Sequence, residues 1–274
     1  MNIKKLSKYL AVPALVAGLA VPALKANAAT PDTPHQFIPH STGHSVGSSP
    51  NAAAVSPDVN GATGYYYATA FDSGNASGHP GTSIKASFYG NAETVPNSQA
   101  GNHSLTETWV QDKNGNAVEI GEMTDPDFWG TNNPVLFATS WTAGHFNGYA
   151  GRSTDVTGFV STSSTVKAGV TQPPIGSYTS YQIVYSGGQI QFFYAGHEFG
   201  YIPGSFFSGG YQGNHESQTY AETYNGVSGG ALPTMNGGVE SYNAGGPTLN
   251  DYGVSTPYKI HSETPTSFSF SGPA

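Results

Sequence analysis

Beyond the first sixty residues, the hydrophobic positions of this chain come in short runs rather than in helical stripes. Aromatic and β-branched residues gather at 65–71, 82–89, 104–110, 135–141, 180–185 and 189–194, with Gly, Asn, Ser and Pro between them. Several runs alternate with a period of two, as in Ser180-Tyr181-Gln182-Ile183-Val184-Tyr185, the pattern of a strand with one face on a core. Asn114-Gly115, between 104–110 and 118–120, predicts a hairpin turn, and so does Ser186-Gly187-Gly188. No window gives an amphipathic helix of four turns. With 36 glycines and 19 prolines punctuating short strands, the pattern predicts an all-β fold, a sandwich or barrel of antiparallel sheet.

The start of the chain carries a different signal. Lys4, Lys5 and Lys8 precede an almost unbroken apolar run from Tyr9 to Leu24, and Ala26-Asn27-Ala28 supplies the small-x-small pattern of a signal-peptidase site. Pro13 and Pro22, and the lack of a second apolar run of about 20 residues, argue against a permanent membrane anchor. Export with cleavage after Ala28 is expected, which leaves 246 residues from Ala29 onward. Residues 29–60 are rich in Pro, Ser, His, Asn and Ala without a sustained period, and read as a flexible leader or short pro-segment. The folded domain is expected over 61–274.

Removing the signal sharpens the charge. All 17 acidic residues remain against Lys85, Lys113, Arg152, Lys167 and Lys259, so the formal net charge moves from −8 to −12. Such a surface repels nucleic acid and anionic membranes. Few basic residues also mean few ion pairs to lose as carboxylates protonate, which is compatible with work in acid. The chain has no cysteine, so thiol nucleophiles, iron–sulfur centres and thiolate zinc sites are excluded and the fold rests on its core. A domain of about 200 residues buries roughly 70% of its unfolded surface, enough for such a core.

Several familiar motifs carry little weight. Gly43-His44-Ser45-Val46-Gly47 spells a nucleophile elbow but lacks the flanking strand and helix that strain the serine into exposure. Asp72-Ser73-Gly74 has no second copy to complete an aspartic dyad. His197-Glu198 does not extend into a two-histidine zinc motif, and no metal or cofactor is expected. The carboxylates are more informative. Val118 and Ile120 point one way along their strand, so Glu119 points the other; Gln218, Tyr220, Glu222 and Tyr224 share one face of theirs. Each glutamate thus sits on the polar-aromatic side of a strand, a plausible groove wall.

At these residues the chain resembles the neprosin family, glutamic peptidases associated with prolyl endopeptidase activity. Ser104 to Val110 is similar to the family's opening strand, Val118-Glu119-Ile120-Gly121 to its hydrophobic-Glu-x-Gly segment, and Asp125-Pro126-Asp127-Phe128-Trp129-Gly130 to the turn that follows. Asn133 to Phe137, Trp141 to Gly144, Gly158 to Val160 and the Gly-Tyr-x-Pro stretch Gly200 to Phe207 continue the succession. Tyr220-Ala221-Glu222-Thr223 falls where the family has its second glutamate. The likeness runs from Ser104 to Tyr224. It implies an antiparallel β-sandwich of two packed, curved sheets, with a substrate groove across one of them.

On that resemblance Glu119 and Glu222 take the catalytic positions. Two close carboxyls share a proton over an acidic window, one acting as base on water and the other polarising the scissile carbonyl. Glu222 is assigned the base role and Glu119 the polarising role. Gln182 and Gln191 are the expected donors to the oxyanion, with Trp141 and Tyr220 lining the groove. The chain departs from the family pattern at Glu122, where a tryptophan is usual, and at Phe193-Tyr194, where paired tryptophans are usual. A cysteine pair common around Gly148 to Arg152 is missing, and so is the plant-type activation domain. Glu122 is expected to alter the groove or to add a third acid near Glu119. The reading is therefore a secreted, monomeric, acid-acting endopeptidase with a peptide or protein substrate, cleaving after proline. Its rivals are an exported carbohydrate-binding or cell-surface module and a glycoside hydrolase with two carboxylates across a similar groove.

Overall fold

The computed structural model describes residues 64–71, 83–90, 93–96, 102–152, 155–225, 231–243, 249, 251–254 and 257–272. The expected signal (1–28) and leader (29–60), with the Gly43–Gly47 and Asp72–Gly74 motifs, lie outside the described residues. In chain order the elements are β1 (Gly64–Phe71), β2 (Ser83–Tyr89), β3 (His103–Gln111), β4 (Ala117–Thr124), the one-turn helix α1 (Pro126–Trp129), β5 (Val135–Thr142) and β6 (His145–Tyr149). They continue with β7 (Val160–Ser161), β8 (Tyr178–Ser186), β9 (Gln189–Tyr194), β10 (His197–Pro203) and β11 (Glu216–Asn225). The last are β12 (Gly237–Asn243), β13 (Asp251–Val254), β14 (Lys259–Thr264) and β15 (Ser267–Ser271).

Two sheets result, one of order β13-β1-β11-β3-β4-β5-β6 and one of order β14-β15-β12-β2-β8-β9-β10-β7. Every described pairing is antiparallel. Their inner faces meet over one core, to which the first sheet gives Tyr66, Val118, Ile120 and Leu136 and the second gives Phe88, Ile183, Phe192 and Phe268. This is the expected all-β sandwich. Both predicted hairpins form. Asp112 Oδ1 accepts from the backbone N–H of Asn114 and Asn116 between β3 and β4, with Gly115 at φ 77°. Gly187 and Gly188, at φ 58° and 76°, make the two-residue turn between β8 and β9, where a side chain at either position is strained.

The strands differ in how burial follows the alternating sequence. β8 and β9 bury every second residue, as a strand with one solvated face should. β3 and β4 bury nearly every residue on both faces. Their polar side is therefore enclosed as well, and the sandwich has a second apolar cluster of Tyr67, Leu105, Trp109, Met123, Phe137, Trp141, Tyr149 and Tyr220 on the outer side of the first sheet.

An acid, Glu122, lies between the sheets. Glu122 follows Val118 and Ile120 onto the inner face, where the Tyr181 hydroxyl of the opposite sheet donates to its Oε2 at 2.5 Å. It does not join Glu119, because an even position on β4 faces the core; the expectation of a third groove acid at Glu122 is thereby corrected. Burial pushes its carboxyl up to about 7, against a smaller downward pull from the Tyr181 bond. Glu93, which neighbours Ser104 and Glu122, is pushed up to about 8, again chiefly by burial.

A carboxyl whose folded pKa exceeds its unfolded one holds its proton more tightly when folded. Its favourable contribution is complete below about pH 4.5 and is lost as pH rises through the folded value. For Glu122 this amounts to about 3 kcal/mol of stability lost by pH 8. Thermal unfolding is expected to show a melting temperature several degrees higher at pH 4.5 than at pH 8, with a smaller difference in Glu122→Gln. A variant with the wild-type pH dependence would contradict the assignment.

Candidate active site

The enclosed outer face of the first sheet carries the chemistry. Strand register fixes its layout. Glu119 on β4 lies opposite Trp109 on β3, which lies opposite Gln218 on β11. One step along the sheet, Gly121, Glu107 and Tyr220 stand in line. One further step gives Met123, Leu105 and Glu222, with Tyr67 of β1 beyond. Three glutamates thus run diagonally across β4, β3 and β11, with Glu107 in the middle. Their exposures are 1%, 0% and 0% for Glu119, Glu107 and Glu222, although fully buried carboxylates are rare unless they are paired.

The two outer members are each held by a neighbour. The Thr139 hydroxyl, directly opposite on β5, donates to Glu119 Oε2 at 2.7 Å. His103 Nε2 lies 2.9 Å from Glu222 Oε1, with both side chains buried, and the imidazole stacks on Tyr224. Among the described residues, no lysine or arginine forms an ion pair with any of the three glutamates.

Glu107 is held differently. Neither of its carboxyl oxygens meets a partner in full hydrogen-bonding geometry, and the Tyr220 hydroxyl acts on it only as a weak donor. Burial raises its carboxyl well above the usual range; the charge of Glu119 raises it further, the Tyr220 hydroxyl opposes this, and Glu222 adds to the rise. Two unit charges about 6 Å apart at an effective dielectric constant of about 20 repel by about 3 kcal/mol, so three adjacent carboxylates cannot all ionise cheaply. Tyr220 is held well above the phenol range by burial and by Glu107, Glu119 and Glu222, and stays a neutral hydroxyl.

A glycine makes the middle position habitable. A Cβ on Gly121 would stand 2.2 Å from the Thr106 carbonyl oxygen and 2.7 Å from the Glu107 Cβ. The glycine of the hydrophobic-Glu-x-Gly segment therefore clears the cross-strand space beside Glu107. Around the acids the face is aromatic. Tyr67 meets Tyr220 edge-on, Trp141 packs on Phe146, and α1 brings Phe128 and Trp129 against Tyr149. Asp125 caps that turn by accepting from Phe128 N–H at 2.9 Å, and Gly130 ends it at φ 72°.

Of the residues singled out in the sequence, Glu119, Glu222, Trp141 and Tyr220 share this face. Gln182 and Gln191 do not. They lie on β8 and β9 of the second sheet, pointing away from the core, where Gln182 donates to Ser83 and Gln191 to Glu198. Both sheets separate them from the glutamates. The buried amide on the glutamate face is Gln218, 2% exposed, whose Nε2 has no hydrogen-bond partner among the described residues. Glu122 and Tyr194 face the core, and Phe193 lies on the second sheet, so these departures from the family pattern fall off the glutamate face. Glu107, His103 and Thr139 escaped the sequence reading. Strand parity puts Glu107 and His103 on one side of β3, but only the order β11-β3-β4 shows that this side meets Glu119 and Glu222. Among the described residues no group of three His, Asp or Glu side chains is arranged to hold a metal ion.

The neprosin family model matches residues 100–245. No curated protein sequence matches the chain. Among solved structures the chain is similar to scytalido-glutamic peptidase with a transition-state analogue inhibitor, at 8% identity and a TM-score of 0.46 over 76% of this chain and 97% of that one. It is also similar to a galectin from Caenorhabditis elegans, at 13% identity and a TM-score of 0.30 over 54% of this chain and 77% of that one. An alginate lyase from Klebsiella pneumoniae gives 13% identity and a TM-score of 0.32 over 69% and 56%. The family match takes in more than half of the sequence, including the strands that bear all three glutamates, and the chain belongs to the neprosin family, as a secreted peptidase acting on peptide or protein substrates.

Proposed function

We propose that the chain is an acid-acting glutamic endopeptidase that cleaves after proline, with Glu119 and Glu222 as its reacting acids. The observation that carries this reading is that both are buried on one sheet face, each oriented by its own side-chain partner, Thr139 for Glu119 and His103 for Glu222. An imidazole N–H donated to Glu222 favours its carboxylate, which suits it to be the base.

In the proposed reaction, ionised Glu222 takes a proton from water as the water oxygen attacks the scissile carbonyl carbon. Protonated Glu119 donates a hydrogen bond to the carbonyl oxygen as negative charge builds there, and the Gln218 amide is placed to add a second. The tetrahedral intermediate then collapses. The carbon–nitrogen bond breaks, the proton held by Glu222 passes to the leaving nitrogen, and both glutamates return to their starting states. Tyr67, Trp109, Trp141 and Tyr220 give the face an aromatic floor, a surface against which proline rings dock well. Because Glu122 and Phe193-Tyr194 lie off it, they leave that floor intact. A face closed to solvent must open to admit a peptide, and we take 29–60 as a short pro-segment from its composition alone.

Glu119→Gln and Glu222→Gln are each expected to lower kcat/KM roughly 100- to 10,000-fold while melting as cooperatively as the wild type. Cleavage of a peptide library is expected to be strongest in acid, to fall above neutral pH, and to enrich proline on the amino side of the cut. Activity sustained at pH 8, or polysaccharide cleavage without peptide cleavage, would overturn the reading. Removing 29–60 is expected to raise the initial rate; an unchanged rate would leave those residues a linker.

A further inference from the structure

β3 runs between the strands that carry Glu119 and Glu222, and the side chain it places there, on the same diagonal, is Glu107. Three independent features mark the position. Glu107 is completely buried, and the Tyr220 hydroxyl acts on it as a weak donor short of full hydrogen-bonding geometry, while its strand neighbours Thr106 and Thr108 face the other way. Gly121, directly opposite, is the residue whose lack of a side chain leaves room beside it. The charged and titratable groups facing it from the packed strands are Glu119 on β4, and Glu222 and Tyr220 on β11, with His103 further along β3 beyond Leu105. A carboxylate among these neighbours is repelled from both sides. A carboxylic acid in the same place is a hydrogen-bond donor between two acceptors.

We propose that Glu107 is a positioning residue of the peptidase reaction, a proton-bearing link between Glu119 and Glu222 that donates to the ionised member and so sets the acid–base state of the pair. This rests on the assignment of Glu119 and Glu222 above. Such a link would let two carboxyls on strands that are not neighbours titrate as one unit. It also gives the buried carboxylic acid a role that a core side chain of equal volume would lack. The step moves no atoms beyond a proton: as the base takes a proton from water, the hydrogen bond from Glu107 relaxes, and it re-forms when that proton leaves with the amine.

The test is the pH dependence of kcat/KM for Glu107→Gln, Glu107→Leu and Glu107→Met, measured beside Glu119→Gln and Glu222→Gln, with a melting curve for each. The glutamine variant keeps a donor. It is expected to recover most of the activity, within about fivefold, with the acid limb of the profile near its wild-type position. The apolar variants lose the donor. They are expected to fall at least tenfold, with the acid limb displaced upward by about one pH unit, since the ionised base loses a charge-assisted hydrogen bond. Their melting temperatures should be equal or higher, because an enclosed acid is replaced by an apolar group of similar shape. Wild-type profiles in all three Glu107 variants, with the dyad variants inactive, would overturn the link alone. A glutamine variant as inactive as Glu119→Gln would make Glu107 a reacting acid rather than a positioning one, and would equally overturn it. Retained activity in Glu119→Gln or Glu222→Gln would overturn the reading beneath both.

Discussion

Everything at this site follows from placing three carboxyls on one enclosed face with no lysine or arginine among the described residues to neutralise them. Water is the cheapest partner for a carboxylate, and here it is excluded. The protein answers with protons and hydrogen-bonding side chains. Thr139 serves Glu119, the His103 imidazole serves Glu222, and Glu107, with the Tyr220 hydroxyl as a weak donor, is driven toward its neutral form by burial and by the negative charge around it. A site built in this way carries acid and base in one cluster without a metal ligand or a thiol, which is what peptide hydrolysis by carboxyls requires.

The same physics recurs between the sheets. Glu122, pinned by Tyr181, and Glu93 beside it are raised by burial, so the interior also prefers acid. A chain with 17 acidic residues and few basic ones has little ion-pairing to forfeit as pH falls, and buried acids to relieve. Stability, and activity in the proposed reaction, thus point toward low pH for one reason, the cost of an unsolvated carboxylate. The two clusters remain distinct in consequence. The inner one biases the fold, whereas the outer one sits on the face that also holds the aromatic floor and the Gln218 amide.

The fold was largely legible in the sequence because its signals are local. Asn114-Gly115 and Gly187-Gly188 specify their hairpins, and the alternation in 180–185 and 189–194 gives strands with one solvated side. The same parity turned Glu119 and Glu222 to the side of their strands away from the core between the sheets. It failed where the answer depends on which strands are neighbours. Gln182 and Gln191 have a credible strand pattern but belong to the other sheet. Glu122 obeys parity by facing the core, against the expectation that an acid faces water, and its partner Tyr181 lies 59 residues away in sequence. Glu107 stood openly in Ser104 to Val110, yet its meaning comes from a non-local insertion: β11 pairs with β3 across more than a hundred residues, bringing Glu222 to its side.

The central claim is that Glu107, enclosed between Glu119 and Glu222, holds its proton where exposed glutamates have lost theirs. Carboxyl-carbon NMR titration of glutamate-labelled protein, with Glu107→Gln used to assign the resonance, measures this directly. The account predicts that the Glu107 resonance keeps the shift of a protonated acid over the range where the exposed glutamates lose their protons, because burial and the neighbouring carboxyls raise it well above the ordinary value. A Glu107 carboxyl that ionises together with the bulk of the glutamates would contradict it.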